Sequence, residues 1–109
     1  MIQITFLGTG TSTGIPQIGC TCPVCTSTDP KDNRLRTSAM ISVNGKNILI
    51  DCGPDFRQQM LRSHFRRVDA VLITHIHYDH TGGIDDLRPF GENRMLPIYM
   101  ESSVAEGIR

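Results

Sequence analysis

The chain has 109 residues, 39% apolar and 20% charged, with eleven residues of each sign and a formal net charge of zero. That length suits one domain with a modest core, and the balanced charge supplies no long-range field for nucleic acid or an anionic membrane. No stretch reaches the roughly eighteen apolar residues of a membrane-spanning helix, and no basic region followed by an apolar core opens the chain, so a cytoplasmic protein is expected.

Ile2-Gln3-Ile4-Thr5-Phe6-Leu7 alternates before turning apolar, the pattern of an opening strand. Gly8-Thr9-Gly10-Thr11-Ser12-Thr13-Gly14 follows. A dinucleotide-binding loop needs a helix to open from such glycines, and here Pro16 and a cysteine cluster arrive instead, so that reading is rejected. The loop either carries backbone N–H groups to a phosphate or is a plain surface loop.

Cys20, Cys22 and Cys25 lie within six positions. Without a secretory signal, thiols at this spacing hold zinc more often than they pair as disulfides. Three thiolates leave a tetrahedral site one ligand short, so reduced cysteines without metal stay open as the alternative. His64 could close the site, but it sits in a basic segment and reads better as a solvated or helix-end residue. The stretch from Thr26 to Arg36 is polar and turn-rich; Arg34 and Arg36 are read as solvated, with contact to a phosphate as the lesser alternative because nothing in the sequence places them near metal-binding residues.

From Thr37 to Val43 apolar and small polar residues alternate, Asn44-Gly45 follows, and Asn47 to Asp51 resumes a strand, which is a strong hairpin signal. Asp51-Cys52-Gly53-Pro54-Asp55 then forms an acidic turn. Asp51 could cap the next helix or orient a metal-bound histidine, and the second role is favoured. Cys52 reads as a small buried hydrophobe. Phe56, Met60, Leu61 and Phe65 recur at helical spacing, predicting an amphipathic helix over Phe56 to Phe65.

Val68 to Thr74 is apolar and β-branched, a buried strand, and it leads into His75-Ile76-His77-Tyr78-Asp79-His80, which holds three of the four histidines. In extended backbone His75 and His77 project to one side and can share an ion at Zn–N distances of about 2.0–2.1 Å. Asp79 and His80 are neighbours and face a common point only if the chain turns. Thr81-Gly82-Gly83 is expected to supply that turn, its glycines taking positive φ or letting backbone approach a metal or substrate. Core histidines without metal are the competing reading, but three clustered imidazoles and a carboxylate without a cation would carry a heavy desolvation cost. Ile84 to Leu87 reads as the first turn of a helix that gives way to loop across Gly91-Glu92-Asn93-Arg94, and Leu96 to Met100 as a strand. Ser102 to Glu106 opens a helix at its cap, about one turn before the sequence ends. Isolated helices shorter than ~12–15 residues rarely hold, so residues 1–109 are expected to form a single incomplete domain, truncated at its C-terminus.

His75-x-His77-x-Asp79-His80, behind an apolar strand and ahead of Thr81-Gly82-Gly83, resembles the signature of the metallo-β-lactamase fold superfamily. The resemblance implies an α/β (α+β) chain forming the N-terminal half of a four-layer αββα sandwich, with a mixed, largely antiparallel sheet. It implies a pair of Zn2+ or Mn2+ ions, the first on His75 and His77 and the second on Asp79 and His80. The superfamily's later histidine, bridging aspartate and final histidine are absent from these residues. The Gly8-Thr9-Gly10-Thr11-Ser12 opening resembles the ribonuclease Z and phosphodiesterase branches, and Cys20-x-Cys22-x-x-Cys25 resembles the PhnP-like phosphodiesterases. The latter implies a structural Zn2+ on Cys20, Cys22 and Cys25, its fourth ligand a histidine beyond Arg109.

The expected function is therefore metal-dependent hydrolysis of a small, cyclic phosphodiester by a two-metal-activated hydroxide, with Asp79 as the catalytic residue that holds the second ion and orients the nucleophile. A hydrolase of the same fold acting on a thioester, lactam or lactone is the alternative, as is a non-catalytic zinc module. The 109 residues alone are expected to be inactive unless a second chain completes them. Nucleic acid is disfavoured as a partner, a membrane is not expected, and a homodimer is left open.

Overall fold

A computed structural model describes residues 1–91 and 95–108. Five strands form one sheet in sequence order: β1 (Ile2–Gly8), β2 (Ser38–Val43), β3 (Lys46–Ile50), β4 (Ala70–Leu72) and β5 (Ile98–Tyr99). β1 and β2, and β2 and β3, pair antiparallel through the longer ladders, whereas β4 pairs parallel with both β3 and β5. The sheet is mixed, as expected. The β2–β3 hairpin closes on Asn44 at φ 51° and Gly45 at φ 76°, the two positive-φ residues that a type I′ turn requires.

This topology fixes the address of the loops. β1, β3, β4 and β5 all run in one direction, so the segments that follow Gly8, Ile50 and Leu72 gather at one end of the sheet. On one face Met40, Leu49 and Val71 pack with Phe56 and Met60 of α1 (Phe56–Arg62) and with Cys52, Phe65, Val68, Ile73, Leu87 and Val104 to make the core. The other face is also apolar. Ile4, Ile41, Ile48 and Ala70 form one row across it and Phe6, Ala39, Ile50, Leu72 and Tyr99 a second. Ile4 and Phe6 there are 57% and 73% exposed. Apolar residues on both faces are the pattern of a sheet built to be covered twice, as in a layered sandwich.

Several elements are shorter than the sequence predicts. β4 covers only Ala70–Leu72 because the Thr74 backbone N–H leaves the ladder and donates to the Asp51 carboxylate. β5 is two residues long because Pro97 has no N–H to donate. α1 stops at Arg62, where the Ser63 backbone and hydroxyl both donate to the Met60 carbonyl and that hydroxyl accepts the Phe65 N–H. Ile84–Leu87 is a 3-10 turn that passes into α3 (Arg88–Gly91), preceded in the chain by α2 (Tyr78–Thr81). The expected helix-to-loop change falls on Glu92, Asn93 and Arg94, which lie outside the described residues. α4 spans Ser102–Ile108. Among the described residues no helix is long and apolar enough to cross a membrane.

Candidate metal centre

The segment after β4 leaves extended geometry sooner than expected. His77 is still extended (φ −58°, ψ 145°), and α2 begins at the very next residue. The turn that turns Asp79 and His80 toward the other histidines is therefore Tyr78–Thr81 itself, since adjacent residues of one helical turn diverge by about 100° where those of a strand point oppositely. The glycines behind it do not take positive φ. Gly82 is helical at φ −66° and Gly83 sits at φ −104°. Their smallness serves contact with protein: a Cβ on Gly83 would strike the Gly53 carbonyl, and one on Gly82 would come within 2.6 Å of the Tyr78 ring. Gly83 N–H donates to the Cys52 carbonyl and Cys52 N–H to that of His80, so the acidic turn and the histidine segment are laced together.

Four predicted residues converge here. His75, His77 and Asp79 each offer a ligand atom within 4.8 Å of the others, and the His75 ring lies 3.8 Å, centroid to centroid, from that of His80. His80 Nε2 stands 3.1 Å from Asp79 Oδ2.

Asp51 organises this group from beneath. It is 3% exposed and holds φ 61°, a left-handed conformation that costs a non-glycine residue on the order of 1 kcal/mol or more. Its carboxylate accepts the Thr74 N–H (2.7 Å) and the Thr74 hydroxyl (2.7 Å), and meets His80 Nδ1 at 2.6 Å. A carboxylate only accepts, so His80 Nδ1 donates to Asp51, and the ring's other nitrogen, Nε2, is turned toward Asp79. Because the Thr74 hydroxyl proton goes to Asp51, its oxygen accepts from His75 Nδ1 at 2.9 Å, which frees His75 Nε2. α1 starts after Asp55, so Asp51 does not cap it. Sequence reading missed Thr74; a hydroxyl directly before the first histidine at a strand's end was the available signal.

Cys20, Cys22 and Cys25 bring their Sγ atoms within 4.8 Å of one another. The Cys25 N–H points at Cys22 Sγ (3.4 Å) and the Gln17 N–H at Cys25 Sγ (3.5 Å), contacts that favour thiolate sulfur. The Cys25 amide, helped by the neighbouring thiols, draws the exposed Cys22 thiol down to about 7. At Cys25 the Gln17 amide works the same way but is outweighed by the Cys20 and Cys22 sulfurs and by burial, and the thiol is raised. Among the described residues no histidine joins this cluster; His64 is exposed and stacks on Phe65 at 4.4 Å. Cys52 is fully buried, and burial, with Asp86 and Asp51 adding to it, pushes its thiol up to about 12.

Two glycine amides of the loop after β1, and the amide that follows it, are taken up by the protein's own carbonyls. Gly10 N–H donates to the Leu35 carbonyl, Gly14 N–H to that of Thr11 and Ile15 N–H to that of Arg34. The Arg34–Arg36 segment lies against the loop so closely that a Cβ on Gly10 would meet the Arg34 carbonyl at 2.6 Å. Arg34 and Arg36, which the sequence left without an address, are therefore brought to the end of the sheet that carries the histidine segment.

Residues 46–109 match the model of the beta-lactamase superfamily domain, the region that holds Asp51 and the whole histidine segment. The chain belongs to that family. This beta-lactamase superfamily domain is 55% identical, over 99% of its length, to the Octanoyltransferase of Porphyromonas gingivalis, of which it covers 22%. It is 38% identical over 80% of its length to the Ribonuclease Z of Bradyrhizobium diazoefficiens, covering 24% of that protein. Among solved structures it superposes on a diphosphatase from the PhnP family with TM-score 0.92 and 44% identity, over 97% of this chain and 44% of that one. Zn(2+)-bound PqqB from Methylobacterium extorquens superposes with TM-score 0.80 and 27% identity, over 99% and 40%. The domain thus spans less than half of each of these proteins, and aligns with hydrolases of the metallo-β-lactamase fold.

Proposed function

We propose that the chain supplies the front half of a metal-dependent phosphodiesterase domain, in which His75 and His77 hold one ion, Asp79 and His80 hold a second, and a hydroxide attacks a small phosphodiester. The observation that carries this reading is the convergence of His80 Nε2 and Asp79 Oδ2 at 3.1 Å while His80 Nδ1 is engaged by Asp51. An imidazole nitrogen and a carboxylate oxygen converging in a half-buried site are a ligand pair that one cation can bridge. Imidazole nitrogens with one carboxylate are the donor set of zinc or manganese rather than of calcium.

When bound, a pair of such ions lowers the pKa of water and stabilises the anionic oxygens that develop on phosphorus. The protein's own contribution is orientation. Asp51 and Thr74 hold the two rings through Nδ1, and Asp79 holds its carboxylate at the mouth to position the nucleophile. The remaining ligands would come from polypeptide beyond these residues, consistent with a chain that spans 44% of the related diphosphatase. Cys20, Cys22 and Cys25 would hold a structural zinc, supported by clustered sulfurs already receiving N–H groups and short of one ligand. A small phosphodiester is preferred over a thioester, lactam or lactone because the cysteine cluster and the histidine segment both lie within the match to the diphosphatase.

The test uses the chain together with the polypeptide that completes the domain. Three metal ions per molecule and metal-dependent turnover of bis(p-nitrophenyl) phosphate, with none of thioester or lactam reporters, is the expected result. One chelator-resistant zinc without turnover would leave a zinc module in place of an enzyme.

A further inference from the structure

Ser38 opens β2 and is 2% exposed. Two positions on, the same face of the strand carries the fully buried Met40, and packing alone would put an apolar side chain at Ser38 as well. A hydroxyl stands there instead, and it reaches two carbonyls at once, that of Ile50 at 3.1 Å and that of Asp51 at 3.0 Å. Consecutive carbonyls of an extended strand point to opposite sides, so one hydroxyl spans both only where the chain has turned. The turn is Asp51 itself, left-handed at φ 61°. Ser38 therefore grips the backbone at the residue where β3 ends and the carboxylate is aimed.

The other bonds around Asp51 show what that grip serves. Asp51 N–H donates to the Leu72 carbonyl at 2.8 Å and Cys52 N–H to that of His80 at 2.9 Å, which ties both flanks of the residue toward β4 and the histidine segment. Ser38 holds the same peptide units from β2, on the opposite side. Released from it, a left-handed aspartate has the ordinary extended and helical regions open to it, and its carboxylate swings with the backbone, away from Thr74 and His80.

We infer that Ser38 is a positioning residue of the histidine centre: its hydroxyl holds Asp51 in the left-handed conformation that presents the carboxylate to Thr74 and His80, and so sets how tightly the centre holds its metal. The inference rests on the metal-dependent reading and deepens it.

Two measurements on the completed domain separate the two claims. In metal-free protein the proton between His80 Nδ1 and Asp51, at 2.6 Å, gives a downfield NMR resonance that exchanges slowly with water, and Ser38→Ala speeds that exchange at least tenfold. In zinc titrations against a chromophoric chelator, with Cys22→Ser in the background so that the histidine centre is read alone, Ser38→Ala weakens binding about tenfold. Ser38→Thr, which keeps the hydroxyl, stays within twofold of wild type in both. Ser38→Cys, close in size but a weak donor, shows the losses of Ser38→Ala and replaces it if alanine does not fold. Ser42→Ala, on the same strand with its hydroxyl on Asn47, changes neither reading. Once Asp51→Asn has removed the carboxylate, Ser38→Ala adds less than twofold to the loss of zinc affinity. Additive losses, or losses in Ser38→Thr as deep as in Ser38→Ala, would overturn the role of Ser38, as would zinc binding indifferent to Ser38→Ala and Ser38→Cys. If the wild type binds no zinc at the histidines yet proton exchange quickens in Ser38→Ala, the hold on Asp51 stands and the metal-dependent reading falls.

Discussion

The histidine centre and the cysteine cluster are both candidate metal sites, and they are built in opposite ways. The histidines stand on the segment that follows β4, His80 within α2, and a buried carboxylate, a threonine hydroxyl and the backbone bonds that lace this segment to the acidic turn hold it before any ion arrives. The cysteines lie on a loop held by two N–H···S contacts and by short-range bonds such as Cys20 N–H to the Gln17 carbonyl and Thr26 N–H to that of Cys22. The first site is held by contacts with distant parts of the fold; the second is held by bonds within its own loop. Metal in the first should therefore act on chemistry and metal in the second on local order.

The largest expected effect is at the first site. In the completed domain, Asp79→Ala or His80→Ala lowers phosphodiester turnover on the order of 10³-fold, with the metal content of the centre reduced, as measured by elemental analysis beside steady-state kinetics. Retention of activity in both variants would remove the metal reading. Asp51→Asn comes next, because asparagine tolerates the left-handed backbone at φ 61° but cannot accept from Thr74 and His80 as a carboxylate does. Turnover or metal affinity falls about 10- to 100-fold while the fold persists. A matching loss in Thr74→Val, smaller because only His75 is released, would sharpen the account; an inert Asp51→Asn would break it.

How far these two sites were legible in the sequence follows from how local they are. The hairpin was readable because Asn44-Gly45 encodes its own turn, and the histidine and cysteine groups because each lies within six consecutive positions. Asp51 and Thr74 are 23 residues apart, and their bond exists only because β3 and β4 lie side by side and parallel. Arg34 and Thr9 are 25 apart, joined by a chain crossing that no local pattern announces. The glycines misled for the same reason: Gly10 and Gly83 are small to admit the Arg34 and Gly53 carbonyls, partners far along the sequence, and neither needs the positive φ or the ligand that glycine suggests on its own.

At the cysteine site, effects should be smaller and of another kind. Cys22→Ser removes one zinc per molecule and lowers Tm by a few degrees, with turnover changed only a few-fold; a loss as deep as that of Asp79→Ala would mean the two sites are not separable. The smallest effect is chemical, and metal-free protein shows it best. With its thiol near 7, Cys22 is largely thiolate at pH 8 and half so near neutrality, so iodoacetamide should label it first, more slowly as pH falls below 7. Cys52, held near 12 by burial, keeps its proton across that range and stays unlabelled until the protein unfolds. The sign of its contribution follows: the unfolded thiol ionises from about 8.5 and the folded one does not, so Cys52 costs nothing below that pH and weakens the fold as pH climbs toward 12. Added zinc should slow labelling of Cys20, Cys22 and Cys25 together and leave Cys52 as it was. Protection of Cys22 alone would show that the three sulfurs, though gathered, do not share an ion.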